Sequence, residues 1–170
     1  MNCSARCRLF ETPEQCDQRY GTPTQRNVAP FPKGFSQDDP STEVRFYQKG
    51  KFIICVCFVD GVAHCLSFIK GSVALSEDDA FQILRANADG RNWLTDAKHA
   101  QQFNPAWARD DKRAFARNNA DSDIWWGGTS SGLSIFSADW VAKSLALQQR
   151  RRESENKQRI DDAQKATKGF

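Results

Sequence analysis

EVRFYQ at 43–48, KG at 49–50, KFIICVCFV at 51–59, DG at 60–61 and VAHCLSFIK at 62–70 make three runs of β-forming residues joined by two glycine dipeptides. Aromatic and β-branched residues favour a pleated, half-buried strand, and glycine adopts positive φ in a tight turn without steric cost. The block therefore predicts a three-stranded antiparallel meander. Two-residue turns at Lys49-Gly50 and Asp60-Gly61 would set Ile53 against Phe46 and Cys57 against His64. Strict alternation then assigns Val44, Phe46, Ile53, Cys55, Cys57, Val62, His64 and Leu66 to one face. Arg45, Tyr47, Phe52, Ile54, Val56, Phe58, Ala63 and Cys65 fall on the other. The first face is nearly all apolar and is the expected seat of a helix. The second is apolar only in its middle strand, a partial covering that leaves room for a partner.

Working outward, Thr12-Pro13-Glu14-Gln15 carries an N-cap, a proline at the first helical position and a capping-box glutamine, ahead of a stop at Gly21 and Pro23. A connector rich in Pro, Thr, Asn and Asp follows to Thr42, with Phe31 and Phe35 as pins to the body. Ser76 caps a second helix whose first turn holds Glu77, Asp78 and Asp79. That helix is expected over 76–89, with Ala80, Phe81, Ile83, Leu84 and Ala88 inward. Short strands are expected around Trp93-Leu94, Ala106 to Arg109, Arg113 to Arg117 and Leu133 to Ser137. Asp110-Asp111 turns the middle pair. A last helix opens at Ala138 with Trp140, Val141, Ser144, Leu145 and Leu147 inward, and beyond Leu147 it projects into solvent or frays. The order suggests two similar halves, although no residue-level repeat is visible. The fold class expected is α+β: an antiparallel sheet of about six strands, helices packed on one face, and a polar C-terminal helical tail. Residues 1–147 form one domain and 148–170 the tail.

The chain of 170 residues has 39% hydrophobic and 26% charged residues, and its 5 Trp and 12 Phe need burial, so wholesale disorder is excluded. The net charge of +3 arises in the tail, because Arg150-Arg151-Arg152 and their neighbours outweigh Glu153, Glu155, Asp161 and Asp162. Interspersed acids read as a solvated helix, which makes nucleic acid an unexpected partner. No apolar run is long enough to span a membrane. MNCSARCRLF lacks the apolar core of a signal peptide, so the chain as written reads as cytoplasmic, and as periplasmic or secreted if a signal was removed.

Six cysteines, all within the first 65 residues, lack paired C-x-x-C spacing, which excludes a disulfide framework for the whole fold and the usual structural zinc signature. In an oxidising compartment Cys3, Cys7 and Cys16 allow a Cys3–Cys7 or Cys7–Cys16 disulfide. Cys55, Cys57 and His64 share a face in the expected register. They supply ligand types for zinc or an imidazole-activated thiol, against the plainer reading of small buried hydrophobes. WWGGTSSGLS at 125–134 has glycines between hydroxyl residues but no following lysine, and reads as a loop rather than a phosphate cradle. Adjacent Trp125 and Trp126 cannot both face one core in an extended segment. With Trp107 and Tyr47 they compose the expected binding surface, since exposed aromatics anchor protein interfaces. Asp60, Glu77 to Asp79 and Asp110-Asp111 belong to turns or a helix start. His99 has no hydrolase motif beside it, so no catalytic residue, metal or cofactor is assigned.

TPEQCDQRYGTP, residues 12–23, resembles the T-x-x-Q-h-x-x-x-x-G-x-P opening, h being apolar, of small bacterial envelope proteins of the outer-membrane-assembly lipoprotein and β-lactamase inhibitor protein type. The resemblance implies a short helix and a Gly-Pro turn ahead of an antiparallel sheet, export, and binding to other proteins. It transfers no functional residue. The leading expectation is a non-enzymatic protein-interaction or inhibitor domain. A thiol- or metal-dependent protein built on Cys55, Cys57 and His64 is the alternative, and polyanion binding through the basic tail is the second alternative.

Overall fold

A computed structural model describes residues 8–26, 41–71, 75–95, 107–119 and 132–168. The chain runs α1 (Pro13–Tyr20), β1 (Gln25–Arg26), β2 (Thr42–Lys49), β3 (Phe52–Val59), β4 (Val62–Ile69), α2 (Glu77–Ala86), β5 (Trp93–Thr95), β6 (Trp107–Arg109), β7 (Ala114–Asn119), β8 (Gly132–Ser137) and α3 (Ala138–Lys168). The strands form a single antiparallel sheet of eight, in the order β1-β2-β3-β4-β8-β7-β6-β5. The expectation of about six was low because β1 is a two-residue strand inside the connector. Each half is a helix followed by a four-strand meander. The last strands of the halves, β4 and β8, meet antiparallel at the centre of the sheet.

The meander at 43–70 is present, with its register corrected twice. Lys49 pairs with Phe52, so the first turn is Gly50-Lys51, and Gly50 takes φ +56°. Phe46 consequently faces Cys55, and Ile53 faces Gln48. A slip of two preserves each residue's face. The second turn is Asp60-Gly61 as expected, with φ +51° and +76°. Beyond it, Ala63 still faces Phe58, yet Cys65 rather than His64 faces Cys57. His64 is the extra residue of a β-bulge, which exchanges the faces of every later β4 residue.

Leu66 and Phe68 thus join Tyr47, Ile54, Val56 and Phe58 on the front face, continued across β8 and β7 by Leu133, Ile135, Ala114 and Ala116. Both α1, through Cys16 and Tyr20, and α2, through Ala80, Ile83 and Leu84, pack on this front face. The seat expected for α2 was the opposite one. The bulge adds Leu66 and Phe68 to the front face, where α2 packs, and the rear row runs Val44, Cys57, Cys65, Phe136, Phe115 from β2 to β7. Helices do not share one face either: Trp140 of α3 packs behind the sheet on Val44, Phe46, Cys55, Cys57, Val59 and Cys65.

Helix starts are as the capping residues predict. Thr12 Oγ1 accepts from Gln15 N while Gln15 Oε1 accepts from Thr12 N at 2.8 Å, and Ser76 and Asp79 repeat the reciprocal pair. α2 ends at Ala86, three residues before the expected limit: Asn87 is its C-cap, at φ −103° and ψ 11°, and its Nδ2 donates to the Ile83 carbonyl. Phe81 is turned outward and is 39% exposed, contrary to the inward assignment. α3 continues unbroken for 31 residues, about 46 Å at 1.5 Å per residue. Its side chains from Arg152 to Gln164 are exposed, so the tail projects rather than frays. Phe31, Phe35, Cys3, Cys7 and His99 lie outside the described residues.

Candidate functional site

Two of the four aromatics expected to form one binding surface fall among the described residues, and the sheet separates them. Tyr47 on β2 is fully buried. Its hydroxyl donates to Asp17 Oδ1 at 2.8 Å, and burial together with that carboxylate pushes the phenol well above its ordinary range. The same carboxylate accepts from Arg45 Nη1 at 2.7 Å, and Arg45 Nε reaches Glu43 at 2.6 Å. Burial alone would lower the guanidinium, but Glu43 and Asp17 hold it above its usual value. This closed network ties α1 to β2, which is why Tyr47 is structural rather than a surface anchor.

Trp107 on β6 lies five strand spacings from Tyr47, about 24 Å away. It is half-buried, stacked edge-on against Phe81 at 6.3 Å between ring centroids. On the opposite face of the neighbouring terminal strand β5, Leu94 is 56% exposed. Trp93 Nε1 donates to Leu84 O at 2.8 Å and fastens β5 to α2. The β5 end of the sheet therefore presents Phe81 and Trp107 in front and Leu94 behind. The exposure of Phe81, on a helix whose other apolar residues point inward, was not visible from periodicity alone. Trp125 and Trp126 lie outside the described residues.

The cysteine and histidine constellation is dismantled by the bulge. Cys55, Cys57 and Cys65 are outside any disulfide and buried behind the sheet. Burial, then the neighbouring thiols, pushes Cys55 and Cys57 far above the ordinary thiol range, the reverse of what a nucleophile or thiolate ligand needs. Among the described residues no group of three His, Cys, Asp or Glu side chains is placed to hold a metal ion. Cys16 is disulfide-bonded, and its partner is none of these three.

His64 instead meets a residue the sequence reading overlooked. Its Nδ1 is 2.8 Å from Ser137 Oγ, which also accepts from Trp140 N at 3.0 Å as the N-cap of α3. A serine beside an imidazole at a helix N-terminus has the outline of a nucleophile and base. Ser137, however, is completely buried, so substrate has no access to its oxygen. A serine directly before an Ala-Asp-Trp helix start was the available signal for the cap. The bulge that brings His64 to it left none.

No protein-family model matches the chain, and no curated protein matches it. Among solved structures, a cysteine-rich secretory protein from Staphylococcus aureus subsp. aureus Mu50 aligns at 6% identity with a TM-score of 0.41. The alignment covers 79% of this chain and 46% of that one.

Proposed function

We propose that this protein is a non-enzymatic interaction domain that binds another protein at the β5 end of its sheet. The observation that carries the reading is the exposure of Phe81 and Leu94 beside Trp107 at a terminal strand. A terminal strand offers open backbone donors and acceptors, and apolar side chains on both of its faces suit an added strand from a partner. The reactive side chains described above are buried or tied into structural networks, which favours this reading over the thiol alternative. The resemblance of residues 12–23 to envelope proteins that bind other proteins points the same way.

The test compares the full chain with a Phe81→Ser, Leu94→Ser, Trp107→Ala variant, each immobilised and matched for circular dichroism. The reading expects a protein retained by the wild type at defined stoichiometry and lost at least tenfold with the variant. Identical retention by both would place the interaction elsewhere. In parallel, native thiol titration is expected to find Cys55, Cys57 and Cys65 unreactive until denaturant is added. Prompt reaction would support the thiol alternative.

A further inference from the structure

We propose that the contact between His64 and Ser137 is a pH-operated latch at the root of α3, closed while His64 is neutral and loosened when it is protonated. Ser137 Oγ already accepts the Trp140 amide, so its own hydrogen is free to be donated, and a neutral Nδ1 at 2.8 Å takes it. The hydroxyl then both accepts and donates, and Nδ1 is paired. A protonated imidazole turns Nδ1 into a donor. Ser137 must accept two N–H groups and turn its hydrogen elsewhere, in a position with no solvent exposure. Leaving a buried donor unmade is the costly side of hydrogen bonding.

The surrounding charges act on the same step. A cation here sits against the positive end of α3, and Lys143 one turn along the helix adds repulsion. Asp139 from the helix and Asp60 from the β3–β4 turn oppose it. Asp60 is shared with Lys143 at 3.7 Å, and both side chains are more than half exposed, where solvent weakens their effect. From the N-terminal segment, Phe10 meets the His64 ring edge-on at 5.9 Å and carries the Arg113 guanidinium over its face at 5.1 Å. Glu11, next along that segment, is occupied by Arg19. Burial outweighs the acids and lowers the imidazole from its ordinary value. The joint matters because Trp140 is the anchor of α3 in the rear core, while residues 152–164 stand in solvent. A weaker cap at Ser137 loosens the hinge of a long lever.

The test uses the full chain and two NMR readouts from pH 8 to 4.5. The chain has two histidines, so a His99→Gln variant assigns the His64 ring signals. The expected result is a His64 midpoint below about 6.5. The exchange rate of the Trp140 amide, corrected for its intrinsic pH dependence, should rise about fivefold with the same midpoint, the size of a lost N-cap. His64→Asn places a non-titrating acceptor where Nδ1 lies and should flatten the Trp140 profile. A flat wild-type profile, midpoints that disagree, or an unchanged profile in His64→Asn would overturn the latch. If His64→Asn does not fold, the coincidence of the two wild-type midpoints still decides.

Discussion

Gly132 shows how little freedom a single residue has at the seam between the halves. A Cβ built there would lie 2.7 Å from the Phe68 carbonyl oxygen, a contact with backbone that cannot step aside. Gly132→Ala is therefore expected to cost about 1–3 kcal/mol, the usual range for overpacking. In urea the midpoint should fall with the slope unchanged, and a midpoint within error of wild type would contradict the close approach of β4 and β8. Nothing in WWGGTSSGLS distinguishes this glycine from Gly127 or Gly128, since its constraint comes from a strand some sixty positions earlier. The same holds for His64. The Asp60-Gly61 turn was legible because φ > 0 at both positions is a local demand, whereas the bulge three residues on is set by how β4 fits β3 and the N-terminal segment. Phe10 N and Glu11 O pair with Ala63 at 2.7 and 2.8 Å, holding the bulged strand where β8 does not reach.

Elements were legible where they announce their own ends. Thr12 and Ser76 both cap the helices they were expected to cap, because an N-cap needs only a side-chain oxygen within reach of the third residue on. The seat of α2 was not legible, because it depended on which face β4 contributes Leu66 and Phe68 to. α3 beyond Leu147 is mostly polar, with Ile160 exposed, and carries i,i+4 contacts such as Gln149 to Glu153 and Gln158 to Asp162, each at 3.0 Å. Such pairs contribute only a few tenths of a kcal/mol each. Deleting residues 148–170 should therefore reduce the far-UV helical signal while shifting unfolding free energy by no more than about 0.5 kcal/mol. A larger loss in chemical denaturation would mean that the projecting part of α3 is bound to the body.

At the scale of the molecule, acid should act in two stages. His64 is lower in the folded chain than in the unfolded one, so the unfolded state takes the proton first. Its contribution is complete above about pH 6.5 and is lost as pH falls through the folded value. Asp79 is held well below the carboxylate range by Lys51 at 2.6 Å and Lys70 at 2.8 Å, and Asp111 is lowered by Arg109. Their contribution is present above about pH 4 and disappears below it. Urea unfolding across pH 8 to 3 should show an early decline and a later, steeper one. His64→Asn should remove the first and keep the second. A curve flat down to pH 5 in the wild type would contradict the burial of a neutral imidazole.

Alternation, turn glycines and capping oxygens determined an α+β chain with an antiparallel sheet and helices beginning at Thr12 and Ser76, because these are agreements between neighbours a few positions apart. They also placed the strand positions of the second half. Tertiary structure alone decided that β4 and β8 meet at the centre, that Cys57 faces Cys65, that Tyr47 is enclosed by Asp17 and Arg45, and that His64 reaches Ser137. Asp17 and Tyr47, β4 and β8, and His64 and Ser137 are far apart in the chain, and the Cys57 and His64 contacts turn on which residue is the extra one in the β4 bulge. One inserted residue inverts every face after it, and its position is settled by packing across strands rather than by the local run of β4.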